Sequence, residues 1–225
     1  MFKGIIGLLA GAAALAGPVM AQQPQPEMQQ IRAAVLRVDT PELPPISRLE
    51  LPPEDLGFAG ARLAIEDNDT TGRFMGQDFE AVEVAASPDT AGAELDRLLA
   101  EGIRFVVLLA DDATTVALAD KAGDRALVFN AAARGDALRG ADCRANVIHT
   151  APSHAMLADG LAQFLMWKRW PRWFLVHGSH PEDLALAEAW RRAATKFGAQ
   201  IVEEREFTDT GGARSTDSGH VQVQA

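Results

Sequence analysis

Phe105-Val106-Val107-Leu108-Leu109 is an unbroken apolar run, opened by Gly102-Ile103-Arg104 and closed by Ala110-Asp111-Asp112. Five consecutive apolar residues rich in β-branched side chains suit a strand buried on both faces, the usual state of a parallel sheet covered by helices. Similar runs occupy residues 31–38, 79–84, 126–129, 146–149, 173–177 and 200–207, and each is read as a strand.

Helical patterns with readable ends lie between these strands. Pro52-Pro53 precedes a helix expected over residues 54–68. Ser87-Pro88 starts a second, with Leu95, Leu98 and Leu99 on one face and Gly102 as its stop. Ser179-His180-Pro181-Glu182 has the S-x-x-E spacing of a capping box and opens a helix carrying Leu186, Trp190 and Phe197 before Gly198. Alternating β and α units imply an α/β fold with a mostly parallel, doubly wound sheet. The rhythm changes at Thr150-Ala151-Pro152-Ser153, after which a long helix (153–168) leads into one further strand-helix-strand unit. The organisation expected is a leader (1–21), a Gln/Pro-rich tether (22–30), an N-terminal α/β lobe (31–150), a crossover helix with a partial second α/β lobe (151–207) and an irregular tail (208–225).

The leader is read from Lys3, the apolar run from Ile5 to Ala16, Gly17-Pro18 and the small residues around Val19-Met20-Ala21, the arrangement of a cleavable secretory signal. Its apolar run is shorter than the roughly 20 residues of a membrane span, so no stable membrane insertion is expected after cleavage. Export disfavours ATP- and NAD-dependent chemistry. In 225 residues, Lys plus Arg number 21 against 31 Asp plus Glu, a net charge of -10 that repels phosphate backbones, so no nucleic-acid partner is expected. The one cysteine, Cys143, excludes an internal disulfide framework; a buried, inert thiol is the expectation, with intermolecular pairing as the alternative.

Glu66-Asp67-Asn68-Asp69-Thr70-Thr71-Gly72-Arg73-Phe74-Met75-Gly76-Gln77, Leu127-Val128-Phe129-Asn130-Ala131-Ala132-Ala133 and Asp142-Cys143-Arg144-Ala145-Asn146-Val147-Ile148-His149 carry a resemblance. With the βα series behind a leader, they are similar to the type I periplasmic solute-binding proteins of ABC transporters, the branched-chain amino-acid receptor group. Within it they resemble the subgroup associated with PQQ-dependent alcohol dehydrogenase systems. The likeness runs from about residue 30 to 207, and members of the family are longer, so the chain reads as truncated in its second lobe.

The resemblance implies the type I periplasmic-binding-protein fold, a small-molecule solute held between two lobes, ABC transporter membrane subunits as partners, a periplasmic location, no catalysis and no cofactor. Solutes in open α/β sheets sit beyond the carboxyl ends of the strands. The ligand-binding candidates are therefore Asp112, Thr114 and Thr115 after the third strand, Asn130, Ala132 and Arg134 after the fourth, Thr150 and Ser153 at the hinge, and Ser179 in the second lobe. Amino-acid receptors carry Gly followed by serines in the first of these loops and a hydroxyl in the second. Here Thr114 and Thr115 replace the serines, but Asp111-Asp112 and Arg134 depart from the pattern, which argues against an amino-acid ligand. The plainer reading is that Asp112 caps a helix whose first turn holds both threonines.

His177-x-x-His180 with Asp183, joined by His149 or His154, offers metal-type ligands, but His177 ends a strand and His180 lies in a capping turn, so no metal is expected. Trp167-Lys168-Arg169-Trp170-Pro171-Arg172-Trp173 interleaves tryptophans with cations, and is read as Trp167 and Trp173 packing a helix end and a strand start rather than as a partner surface. Asp111-Asp112 resembles a receiver-domain acidic pair without a partner kinase. His177-Gly178-Ser179-His180 lacks the second glycine of a nucleophile elbow, and Glu66, Asp67 and Asp69 read as ending a helix. The functional expectation is a solute-binding component of an ABC importer; the alternatives are a ligand-sensing co-receptor for a membrane sensor kinase and an exported α/β hydrolase.

Overall fold

In the computed structural model, residues 28–40 and 51–207 are described. The leader, most of the tether and the tail lie outside them.

The first unit runs β1 (Gln29–Val38), α1 (Phe58–Gly72), β2 (Gln77–Ala86), α2 (Pro88–Ala100), β3 (Phe105–Leu109), α3 (Asp112–Ala122), β4 (Leu127–Asn130) and β5 (Val147–His149). Its five strands are all parallel in the order β2-β1-β3-β4-β5. The chain reverses its direction of winding at β1, so helices lie on both faces. In β3 Val106 and Leu108 are buried, Val107 and Leu109 are partly covered and Phe105 is 46% exposed, so the strand is less enclosed than its unbroken apolar run predicts. One row of the register passes from Leu36 through Leu108 and Asn130 to His149, changing from apolar core to polar as it nears the β5 edge. The core packs Leu36, Val106, Leu108 and Val128 of the strands against Leu95, Leu98 and Leu118 of the helices, all almost wholly buried.

A second unit begins with α4 (His154–Trp167), followed by β6 (Arg172–Gly178), α5 (Pro181–Phe197) and β7 (Gln200–Phe207). β6 and β7 pair in parallel. Here the helices meet through small residues, Ala158 and Ala162 on α4 against Ala189 and Ala193 on α5, flanked by Trp173, Trp190 and Phe197. Trp173 stands edge-on to Trp190 with ring centroids 5.6 Å apart. Among the described residues no helix is long and apolar enough to cross a membrane.

Most of the expected elements form, with some corrections. β1 starts at Gln29, inside the segment read as tether. The first helix starts at Phe58 rather than 54, because Gly57 holds a left-handed φ of 83° that turns the chain into it. It also runs on to Gly72, so Glu66, Asp67 and Asp69 lie within the helix and do not end it. Asp69 accepts the Phe79 N–H at 2.9 Å and pairs with Arg73, tying α1 to β2. At α3 the N-cap is Asp111, whose carboxylate accepts the Thr114 N–H at 2.7 Å; Asp112 is the first helical residue.

The capping box expected at Ser179 does not form. Pro181 fixes the first helical position by its constrained φ, which makes His180 the N-cap and leaves Ser179 one residue outside. At α2 the box does form, with Thr90 returning a hydroxyl to the Ser87 N–H at 3.0 Å. Trp167 is not packed but 72% exposed, under the Lys168 ammonium at 4.5 Å. Cys143 is exposed, contrary to the buried thiol expected.

Candidate functional site

The carboxyl ends of β1, β3 and β4 open together into a cleft of about 740 Å³. Its floor is the loop after β3, Ala110 to Asp112, and the loop after β4, Ala131 to Arg134. One side is the segment from Pro52 to Leu56, held there by Arg37 at the end of β1. The Arg37 guanidinium donates to the Glu54 and Leu56 carbonyls at 2.9 and 3.0 Å and to Asp39 at 2.7 Å, and lies 4.7 Å over the Phe58 ring. The opposite side is formed by His154 at the start of α4 and Glu182 at the start of α5.

Asp112, Ala132 and Arg134 line this cleft. Asp112 accepts the Gly135 N–H at 3.0 Å, so its carboxylate bridges the two floor loops. Ala132 is held by its N–H, which donates to the Asn130 side-chain oxygen at 3.1 Å. The Arg134 side chain is exposed, while its carbonyl accepts the His154 N–H at 2.9 Å.

The remaining sequence candidates stand behind the wall or apart from it. Thr114 supplies the N–H that Asp111 caps. Thr115 is 1% exposed on the inner side of α3, near Leu138 and His149, and its hydroxyl has no partner among the described residues. Asn130 is fully buried: its side-chain oxygen accepts from Ala132 and Ala133, its amide donates to the Ala133 carbonyl at 2.8 Å, and its own carbonyl receives the Thr150 N–H and hydroxyl. Ser153 is the N-cap of α4, accepting from Met156. Ser179 lies at the end of β6 and does not line the cleft.

His149 shares this network. Its Nδ1 is 3.0 Å from the Asn130 amide nitrogen and its Nε2 is 3.1 Å from the Leu138 carbonyl. An amide N–H facing Nδ1 and a carbonyl facing Nε2 fit one neutral tautomer, with the proton on Nε2. Burial and the neighbouring Arg139 push its pKa down, partly opposed by the Leu138 hydrogen bond. His177 bonds the Gly178 carbonyl at 2.8 Å and Glu204 at 3.1 Å, and the Arg191 guanidinium holds Glu204 below the usual carboxylate range. Among the described residues no three His, Cys, Asp or Glu side chains converge as a metal centre.

Sequence reasoning did not assign Arg37 or Glu54 to the site, and read His154 and Glu182 in other roles. Arg37 carried no signal, since a polar residue in the last turn of a strand pattern is common. Arg37 meets Glu54 through the tertiary path of residues 51–57, and His154 and Glu182 reach the cleft from the starts of α4 and α5.

A family model described as "Periplasmic binding protein" matches residues 55–221. Among solved structures, a branched-chain amino-acid ABC transporter periplasmic ligand-binding protein from Burkholderia xenovorans shares 22% identity at a TM-score of 0.65, over 79% of this chain and 46% of that one. An ABC transporter substrate-binding protein from Desulfitobacterium hafniense, in complex with Leu, shares 18% at 0.64, over 80% and 51%. A solute-binding protein of an ABC transporter from Rhodopseudomonas palustris, in complex with benzoate, shares 15% at 0.56, over 79% and 48%. The chain thus spans about half the length of the structures it matches. A comparison with curated proteins finds no match. The family is one of binding proteins, not enzymes. On the family match over residues 55–221, and with the parallel five-stranded sheet of the type I fold, the chain belongs to the periplasmic binding protein family.

Proposed function

We propose that this chain forms the solute-capturing part of a periplasmic receptor that delivers a small polar solute to the membrane subunits of an ABC importer. The observation that carries the reading is the cleft of about 740 Å³ at the strand carboxyl ends, floored by the first unit and flanked by His154 and Glu182 of the second. Asp112, Ala132 and Arg134 meet the solute; Thr114, Thr115, Asn130, Thr150 and Ser153 hold the wall in shape; Ser179, outside the lining in this arrangement, reaches the solute only when the lobes approach. Residues 31–150 act as one lobe, and 151–207 as the hinge helix and the first part of another. Capture works by approach of the two lobes, with no covalent step.

The leader read in residues 1–21 supports a periplasmic location, and the segments 66–77, 127–133 and 142–149 support a link to PQQ-dependent alcohol oxidation. The half-length match to the solved receptors supports a second lobe only partly represented here.

The test is thermal unfolding of the purified chain across a panel of alcohols, aldehydes, acids, amines and amino acids. A true solute at a hundred times its dissociation constant stabilises the native state by about 2.7 kcal/mol and is recovered unchanged. Turnover of a panel member, or no shift with any of them, overturns the reading. The intact mass of the native protein from a periplasmic extract tests the leader and the extent of the second lobe.

A further inference from the structure

This inference rests on the cleft being the solute site, and concerns the charge of the solute. A helix N-terminus attracts anions because its first N–H groups lack partners inside the helix. Three helices begin beside the cleft, and the chain brings its own carboxylate to each. Asp111 caps α3 and Asp112 sits in its first turn. Asp136 accepts the Ala155 N–H of α4 at 3.0 Å, beside the Ser153 cap. Glu182 and Asp183 occupy the first turn of α5.

Two of these carboxylates have seats that only glycine leaves open. A Cβ at Gly135 would fall on the Asp112 carboxylate, and one at Gly178 on that of Asp183. In each case a loop glycine leaves room for the acid of a neighbouring helix start, while the free N–H groups of α3 and α4 are themselves met by Asp111 and Asp136, so at these two helices the chain supplies the anion.

The rest of the lining is acidic in excess. Asp39, Glu54, Asp111, Asp112 and Glu182 face the cleft against Arg37, Arg134 and His154; Arg37 and Asp39 offset each other, and Arg37 is also held by two backbone carbonyls, so four carboxylates remain. Arg134, at the exposed rim, and the His154 imidazole are the basic groups left to the lining among the described residues. A carboxylate entering this space meets like charge in a partly desolvated setting, where Coulomb forces are less screened than in water.

The geometry points to a solute that carries a cationic group, an ammonium or a guanidinium, lodged against Asp111 and Asp112 at the start of α3.

The experiment is titration calorimetry with the full chain at low ionic strength, using three probes on one carbon skeleton: 3-methylbutylamine, leucine and 4-methylpentanoate. Putrescine and succinate extend the comparison to doubly charged solutes. The expected result is binding of the amines, at least tenfold tighter than of the matched carboxylates, weakening as salt is added. Asp112→Asn keeps an oxygen for the Gly135 N–H and removes the charge, so it should weaken amine binding about tenfold while leaving thermal unfolding of the free protein near the parent value. Carboxylates binding as tightly as amines, or amine binding insensitive to Asp112→Asn, overturns the charge assignment and leaves the receptor reading standing. No heat with any probe, from protein whose circular dichroism is that of a folded α/β chain, overturns both.

Discussion

The Asn130 side-chain amide and His149 Nδ1 lie 3.0 Å apart, on adjacent strands at paired positions of the register. The contact has a direction. Asn130 spends its oxygen on the Ala132 and Ala133 N–H groups, so its amide must donate to His149, which must then be neutral at Nδ1. Protonating that nitrogen sets two donors against each other.

A pH dependence follows. The folded state binds this proton less readily than the unfolded chain, because burial and Arg139 lower the His149 pKa. The stabilisation is therefore complete above the unfolded histidine value of about 6.5, and is lost as the pH falls through the folded value. Urea midpoints measured from pH 8 down to about 5 should fall, and His149→Leu should remove that component of the slope. An identical slope in the variant would refute the assignment.

Removing Asn130 itself should be costly. Asn130→Ala orphans the Ala133 N–H and carbonyl, both in a buried turn, at about 1–3 kcal/mol for each group left unpaired. Chemical denaturation should show this loss, together with altered exchange of the Ala132 and Ala133 amides.

The apolar core gives a simpler expectation. Leu98 is fully buried within the cluster of β-strand and α2 side chains. Leu98→Ala should cost about 2–5 kcal/mol, the range for a large-to-small change in a close-packed interior. Leu63→Ala, on an exposed side of α1, should change the unfolding midpoint little.

Why the sheet was legible and the cleft less so has a physical reason. Runs such as Phe105 to Leu109 announce a strand by their composition, though only Val106 and Leu108 of it are buried, and Ser87-Pro88 and Ser153 announce helix starts by local chemistry. The polar residues after each strand serve two ends with the same side chains: facing a solute, or satisfying backbone N–H groups in the turn. Asn130 and Ser153 do the second, Asp112 and Arg134 line the cleft, and nothing local separates the pairs. The exposure of Cys143 escapes the sequence for a related reason. Its burial depends on how the loop between β4 and β5 folds back, and that loop turns through a single 3-10 turn, Asp136–Arg139, that leaves the thiol outside.

The exposed thiol is directly measurable. Cys143 should react with a disulfide-exchange reagent such as DTNB in the native protein, to one equivalent and without denaturant. Reaction only on unfolding would place the side chain inside.

The tightest constraint on the cleft floor is the contact between Gly135 and Asp112. Gly135 has φ -58° and ψ 132°, a conformation open to any L-residue, so a substitution there carries no backbone penalty. Any cost of Gly135→Ala must come from the collision of the new Cβ with the Asp112 carboxylate. Forcing that carboxylate away from the Gly135 N–H should destabilise the protein by about 1–3 kcal/mol, the usual cost of overpacking. In Asp112→Ala the carboxylate is gone and the methyl group has room. The double variant Asp112→Ala/Gly135→Ala should therefore lose less stability than the two single changes added together, and the difference measures the contact. Strict additivity would mean that the Asp112 side chain does not occupy the seat that Gly135 leaves open, and the bridge between the two floor loops would have to be abandoned.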